Sequence, residues 1–384
     1  MKDLIKFELY KIFSRKIVLM LMLVCVIVSI IPTITEYTNI KEKGLSYDSI
    51  KNIGKEYEGQ VITNEKQDIL EKKGNNARVR YNNGENITNK EKVIAFGMLD
   101  YWINLNPKYI INDKPYKVKD IKKEIARMEK EGEINTYEYK NIKYIQSLID
   151  KKEIPKYYFK FGWEQATEFF IKPTLIAILI IIAISTIFSN DYQSNTIPIV
   201  LSSKNGKRTL TWAKVIGGLL FSATVFLIIN GIQVLILALH GFSSWDVPLS
   251  FFFYYVKTPY TINIGTYYIF GLLLSFIGVM LFTLLIMLIS LISKNNMISF
   301  AVSIAMLLGP EFISKIMPTY TLARIFKDIN IKNLMSPLTT FWDINTYNIF
   351  SKPTLYLNII FTIAIISIPI VLYLINRIGK KQVV

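Results

Sequence analysis

Apolar residues in this chain occur in uninterrupted blocks, and this restricts the fold more than any other feature. Hydrophobic residues make up 51% of the 384 residues, and the mean hydropathy is +0.32. Several blocks approach or exceed the roughly 18–20 residues that a helix needs to cross a bilayer. A water-soluble protein of this length would place polar residues within such blocks. The sequence therefore predicts an α-helical integral membrane protein.

We expect six transmembrane helices in this chain. Their predicted ranges are 17–35, 169–188, 215–239, 267–292, 297–308 and 355–375. The fifth span is the weakest, because Gly309-Pro310-Glu311 interrupts it early. An even number of spans places both termini on the same side of the membrane.

The first sixteen residues predict an amphipathic helix that lies on a membrane face. Ile5, Leu9, Ile12 and Phe13 recur at helical spacing, with Leu4 beside them and Phe7 off the stripe, and lysines and Arg15 lie between them. The apolar run that follows has no small-residue cleavage site. We therefore expect it to be retained as the first span.

Residues 36–165 differ in character and predict a separate domain inserted between spans 1 and 2. Lys, Glu, Asn and Tyr dominate, and no run there is long enough to cross a bilayer. More than a hundred residues suffice for a small core. We expect a mainly helical domain, with an α+β arrangement as the alternative. A helical pattern over 118–151 is broken at Gly132, and Asn75-Asn76 and Asn82-Asn83-Gly84 predict turns.

The distribution of cations near short loops predicts the orientation of the chain. Positive charge concentrates on cytoplasmic loops. One side carries the N-terminal cluster together with Lys204, Lys207, Arg208, Lys214, Lys294, Arg377, Lys380 and Lys381. The other side carries fewer cations. Both termini are therefore predicted to be cytoplasmic and the inserted domain extracellular.

Several classes of function lack the residues that they need. The net charge of +16 is not gathered into one basic stripe, which argues against nucleic-acid binding. Cys25 and His240 are the only residues of their types, so no disulfide framework or metal site is expected. Asn205–Arg208 only superficially resembles a phosphate loop: the required first glycine is Leu201, and no hydroxyl follows Lys207. We expect no ATPase site and no cofactor in this chain.

Three polar residues within the spans are costly in lipid and therefore informative. Asn230 and Gln233 lie three apart on one face of span 3, and Asn358 lies in span 6. One interpretation is hydrogen bonding between helices. The other is that these residues line a substrate path at a subunit interface.

Two connections between spans carry more pattern than a plain loop. In residues 190–214, Asp191, Ser194 and Thr196 are placed to cap a short helix, 197–201 give it an apolar side, and 204–208 supply positive charge. We expect an amphipathic helix that a soluble partner contacts, although an ordinary cytoplasmic loop is the alternative. Residues 311–353 mix prolines with apolar residues and predict short helices that dip into the outer leaflet.

The order of residues in this polar stretch resembles the membrane subunit of ABC-2 type transporters. In that family, an acidic residue after span 2 is followed along the chain by Gly-Thr, by Leu-Ser, by a basic residue and by a lysine that opens span 3. The corresponding residues here are Asp191, Asn195-Thr196, Leu201-Ser202, Lys207-Arg208 and Lys214. Asn195 replaces the usual glycine, and the proline expected after Leu-Ser is missing. The amphipathic start, the six spans and the re-entrant segment are also similar to the family plan.

The resemblance implies the permease subunit of a bacterial ABC exporter in the cytoplasmic membrane. It implies that 190–214 is the coupling helix, on which a separate ATPase subunit docks and binds ATP and Mg²⁺. The residues so implicated are Asp191, Tyr192, Thr196, Leu201, Lys207, Arg208 and Lys214. A second permease copy, identical or not, completes the transporter. The large domain is similar to that of sodium-efflux and antibiotic-resistance permeases.

Two other classes of membrane protein compete with this interpretation. A sensor or mechanotransmission protein would also place an outer domain after span 1, but typically has only four spans. An ion-coupled carrier would place acidic residues deep in the bilayer, and the predicted spans have none there.

Overall fold

The structure is a computed structural model of the whole chain. It describes residues 1–61, 63–98, 118–153, 156–158, 162–163, 173–194, 206–240, 244–252, 255–317, 321–336, 340–342 and 344–381. In chain order, the first helices are α1 (Lys2–Phe13), α2 (Lys16–Glu42), α3 (Tyr47–Lys55), α4 (Asn64–Asn82), α5 (Asn89–Val93), α6 (Val118–Lys130) and α7 (Tyr137–Ile149). The next are α8 (Pro173–Ile184), α9 (Ser189–Gln193), α10 (Gly206–His240), α11 (Ile264–Ser293), α12 (Asn296–Ile316), α13 (Thr321–Asp328) and α14 (Ile331–Met335). Strands β1 (Thr346–Ile349) and β2 (Lys352–Leu355) and the last helix, α15 (Tyr356–Lys381), complete the order.

Six helices of the described chain are long and apolar enough to cross a membrane, which confirms the predicted fold class. They cover Lys16–Glu42, Pro173–Gln193, Arg208–Ile236, Ile264–Ser293, Asn296–Ile316 and Tyr356–Lys380. Helix α2, the first of these six, continues to Glu42, past the predicted end of span 1 at Thr35. The long apolar blocks form helices because every backbone N–H and C=O in lipid must be bonded within the segment.

Two local predictions made from helix breakers are wrong. Helix α12 does not end at Gly309-Pro310 but continues through Pro310 to Ile316. A proline removes one backbone hydrogen bond and does not by itself end a helix that is held elsewhere. Here Lys332 Nζ lies 2.6 Å from Glu311 Oε1, which anchors the turn after the proline. Asn75-Asn76 likewise lies inside α4 and forms no turn.

Helix α11 lies at the centre of the bundle. It packs against α8, α10, α12, α14 and α15, and its buried side chains belong to the main hydrophobic core. Gly278 is near its midpoint, and a Cβ there would lie 2.9 Å from the backbone of Leu334 and Met335. Ser275 Oγ also donates to Met335 O at 2.9 Å. The short helix α14 therefore reaches the middle of span 4, which only a glycine at this position allows.

The inserted domain is helical in its described part and packs on the loops of the bundle. Gly132 adopts φ +75° between α6 and α7, where the sequence predicted a break. Ile145 and Leu148 of α7 form an apolar cluster with Ile344 and Leu355, which flank the hairpin β1–β2. The antiparallel strands pair Thr346 with Leu355 and Ile349 with Lys352. The domain is thus fixed to the segment that leads into span 6.

Candidate functional site: the 190–214 end of the bundle

A buried lysine connects the two ends of the polar stretch. Lys214 Nζ lies 2.5 Å from Asp191 Oδ2 and donates to the carbonyl of Ile187 at 2.5 Å. The Lys214 side chain is only 2% exposed, and its ammonium lies 5.5 Å from the centroid of the Phe188 ring. An ammonium in such a position needs partners, because an unpaired buried charge is very costly. Lys214 therefore fixes the start of span 3 to the end of span 2.

Serine hydroxyls support the irregular end of span 2. Helix α8 ends at Ile184 and α9 begins at Ser189, so the chain between them lacks a regular helical ladder. Ser290 Oγ of span 4 accepts hydrogen bonds from the backbone N–H groups of Phe188 and Ser189, both at 3.1 Å. These bonds satisfy donors that the broken helix leaves unpaired. The end of span 2 is thereby attached to span 4.

A second set of polar contacts attaches the same place to span 5. Ser189 Oγ donates to Asn296 Oδ1 at 2.6 Å, and Ser299 Oγ donates to the carbonyl of Ser185 at 2.6 Å. Asn296 Nδ2 in turn donates to Asn190 Oδ1 at 3.3 Å. The sequence analysis missed Ser290 and Asn296, since single polar residues at helix ends give no distinctive pattern.

The N-terminal helix α1 packs onto span 3 as well as presenting a face outwards. The apolar stripe packs inside the protein: Ile12 is buried and Leu9 and Phe13 lie against the core, whereas Phe7 is 55% exposed. The position of α1 on a membrane face stays a prediction. A Cβ on Gly217 of span 3 would lie 3.3 Å from Glu8 Cβ, so the missing side chain lets the two helices approach closely.

Glu8 is a buried carboxylate at this helix contact that the sequence analysis missed. The residue is 3% exposed, and its Oε1 lies 3.2 Å from Lys11 Nζ. It shares a helix face with Ile5 and Ile12, so the same periodicity that found the apolar stripe also indicates its burial. The Glu8 carboxylate lies near Lys214 and Arg15, and its negative charge favours the positive charge of both.

Arg15, in the link between α1 and α2, joins α1 to span 2. Its Nη1 donates to the carbonyl of Ala183 at 3.2 Å and to Thr186 Oγ1 at 2.9 Å. Burial lowers the pKa of Arg15, and the negative charge of Glu8 opposes that change. The guanidinium stays charged, since its ordinary pKa is far above neutrality.

The remaining residues predicted for coupling are only partly described. Tyr192 is half-buried, and Lys294 Nζ lies 5.1 Å from its ring centroid. Arg208 is exposed in the first turn of α10, where Lys207 also lies. Thr196 and Leu201 lie outside the described residues, as does the predicted apolar side at 197–201. The amphipathic helix expected in this stretch stays a prediction.

The polar residues of span 3 face a small cavity inside the protomer. Asn230 and Gln233 are 8% and 4% exposed and line a space of about 30 Å³ with Cys25, Ser29 and Ser275. Asn230 Nδ2 donates to the carbonyl of Phe226 in its own helix, and Gln233 Oε1 is buried without a hydrogen-bond partner. Such a volume admits about one water molecule. This position favours internal packing over a path at a subunit interface.

Asn358 does not share this environment. It is exposed in the first turn of α15, on a different helix from the cavity's polar lining. The structure therefore brings Asn230 and Gln233 together and leaves Asn358 apart from them.

A family comparison decides the class of this protein. The model of the ABC-2 family transporter protein matches residues 4–376, which is nearly the whole chain. The chain belongs to this family of ABC-2 transporter proteins. It is therefore a transmembrane permease component of an ABC transporter, as the order of residues from Asp191 to Lys214 indicated. A comparison with curated proteins gives no match.

Proposed function

We propose that this chain is the permease subunit of a bacterial ABC exporter and that a separate ATPase subunit docks on residues 190–214. The observation that carries the proposal is the contact network around Lys214 and Ser290. Through it the stretch that follows span 2 is held to spans 3, 4 and 5. A displacement of 190–214 by a docked partner would therefore move several spans together. ATP and Mg²⁺ bind to that partner.

The proposed orientation places this end of the bundle in the cytoplasm. Both termini lie near it: α1 packs beside Gly217, and a Cβ on Gly379 would lie 3.1 Å from the side chain of Thr211. The exposed cations Arg208 and Lys380 are at the same end. The excess of positive charge supports a cytoplasmic assignment in a bacterial cell membrane. The inserted domain is then extracellular.

A second permease copy completes the proposed transporter. Helices α2 and α12 both contact α8, and only 17% of the span in each is buried within the chain. Both helices therefore leave apolar surface that a partner span could cover. Docking of the ATPases with and without ATP would favour different arrangements of the two halves, as alternating access requires.

No described contact favours the alternative of a sensor or mechanotransmission protein. That interpretation rests on four spans, whereas the described chain contains six candidate spans. The inserted domain contacts the bundle in either case, so its presence does not discriminate between the two functions.

The test is purification of the tagged chain in mild detergent after expression with the genes that neighbour its own. We expect an ATP-binding subunit and a second permease copy to co-purify, with vanadate-sensitive ATP hydrolysis. Arg208→Glu should weaken the association at least about ten-fold, because docking is then opposed by charge. Lys380→Glu is the matched control, since Lys380 is exposed at the same end but outside 190–214. An unchanged complex in Arg208→Glu would contradict the docking assignment.

A further inference from the structure

A cleft lies between helix α7 of the inserted domain and the tip of the hairpin β1–β2. It is an open, shallow depression with a volume of about 570 Å³ and not an enclosed pocket. Its two walls are held in a fixed relation. Ile145 and Leu148 pack against Ile344 and Leu355, and Thr346 Oγ1 donates to Asn141 Oδ1 at 2.7 Å. The cleft is thus part of the folded structure.

The lining of this cleft combines positive charge with aromatic surface. Lys140, Lys143 and Lys352 are exposed along it, and none of the described lining residues is acidic. The carboxylate of Glu129 comes near, but it accepts a hydrogen bond from the Tyr139 hydroxyl at 2.7 Å. That hydroxyl also accepts from Lys143 Nζ at 2.9 Å. The cleft therefore complements an anion that carries apolar groups.

Phe350 is the most unusual residue of the cleft. It is 96% exposed at the hairpin tip, and it and Ser351 have φ values of 50° and 61°. A two-residue turn with positive φ at both positions strongly favours Asn-Gly. A left-handed conformation is strained for an ordinary residue, because its Cβ lies too close to the following carbonyl oxygen. A large aromatic side chain that is both strained and exposed contributes nothing to the folded core, which indicates a contact outside the chain.

The length of the cleft along α7 suits an extended chain. Lining residues on α7 run from Tyr139 to Ser147, a distance of about 12 Å along a helix. About four residues of an extended chain cover that distance. We propose that this cleft binds an acidic peptide segment with interspersed apolar side chains, its carboxylates on Lys140, Lys143 and Lys352 and an apolar side chain on Phe350.

The test measures binding of a fluorescent peptide of alternating glutamate and leucine to the purified full-length protein in neutral nanodiscs. We expect binding that weakens with added salt, since exposed charges are screened. The same peptide with glutamine for glutamate should bind at least about ten-fold more weakly. The triple variant K140E/K143E/K352E should lose binding to a similar extent. The matched control K122E/K123E reverses exposed charges on α6, away from the cleft, and should bind as the wild type does.

Phe350→Asn separates binding from folding. Asparagine tolerates positive φ, so this variant should be at least as thermally stable as the wild type. We expect it to bind the acidic peptide several-fold more weakly. Wild-type affinity in Phe350→Asn or in the triple lysine variant would overturn the proposal. Equal binding of the glutamine peptide, or full competition by nanodiscs of anionic lipid, would also overturn it. No result depends on the ATPase, so this inference and the proposed function fail independently.

Discussion

Two lysine–carboxylate pairs of identical length have opposite surroundings in this protein. Lys214 and Asp191 at the 190–214 end are 2.5 Å apart, with side chains 2% and 15% exposed. Lys90 and Glu56 of the inserted domain are also 2.5 Å apart, but both are about half exposed, at 53% and 52%. Removal of one partner from a buried pair strongly destabilises the fold, because the other charge is left unpaired. Water and salt screen the charges of an exposed pair, so its loss costs little. The burial of an ion pair, and not its N–O distance, therefore decides how much it contributes to stability.

The largest expected effect follows from breaking the buried pair. Asp191→Leu removes the nearest carboxylate from the Lys214 ammonium and leaves the Ile187 carbonyl, the Phe188 ring and the charge of Glu8. It should cost about 3–5 kcal/mol of stability. The double variant Asp191→Leu/Lys214→Met removes both charges and should recover most of that loss. Thermal unfolding of the purified protein measures both. Equal losses in the single and double variants would show that Lys214 does not depend on Asp191.

A smaller loss of stability should follow from weakening the packing of α1 on span 3. Gly217→Val places new methyl groups against Glu8 and should cost about 1–3 kcal/mol through overpacking. Hydrogen exchange of residues 2–13 should rise as α1 detaches. Gly231→Val is the control in the same helix, because a Cβ at Gly231 meets open space. Similar exchange in both variants would contradict a close contact between α1 and span 3.

The smallest effect concerns an exposed carboxylate of the inserted domain. Hydrogen bonds from the backbone N–H and the hydroxyl of Thr88 lower the pKa of Glu91, with Arg80 contributing less. Because the folded-state pKa is depressed, the stabilisation is complete above the ordinary value of 4.5 and is lost as the pH falls through the lower folded-state pKa.

Hydrogen exchange of residues 88–98 measures this dependence. We expect protection to exceed that of Glu91→Gln above pH 4.5 and the two to converge in more acidic solution. A difference that is the same at all pH values would mean that the charge of Glu91 does not stabilise α5.

The sequence predicted best those elements that a single local pattern of residues determines. Continuous apolar blocks indicated six spans, and the spacing of Ile12 and Phe13 indicated an amphipathic helix, although not its packing on span 3. Gly132 marked a break because glycine readily adopts positive φ. These signals are local and therefore readable along the chain.

Other features depend on contacts between distant segments. Pro310 is typical of a helix end, yet α12 continues past it to Ile316. Lys332 of α14 pairs with Glu311 and stabilises the turn after the proline. Ser290 satisfies N–H groups that lie about a hundred positions earlier in the chain. The resemblance assigned Asp191 and Lys214 to docking but did not predict their mutual contact, since the whole polar stretch separates them. The role of 190–214 in docking stays a prediction.

Strand β2 passes into α15 without a linker, since Leu355 ends the strand and Tyr356 begins the helix. The hairpin is therefore joined directly to span 6. The four residues of β2 cover about 13 Å, and the turn residues Phe350 and Ser351 lie beyond Lys352. Because Ile344 and Leu355 also pack on Ile145 and Leu148 of α7, a tilt of span 6 would move the hairpin and α7 together. In the described residues, the inserted domain is therefore coupled to span 6 by direct packing, without an intervening loop.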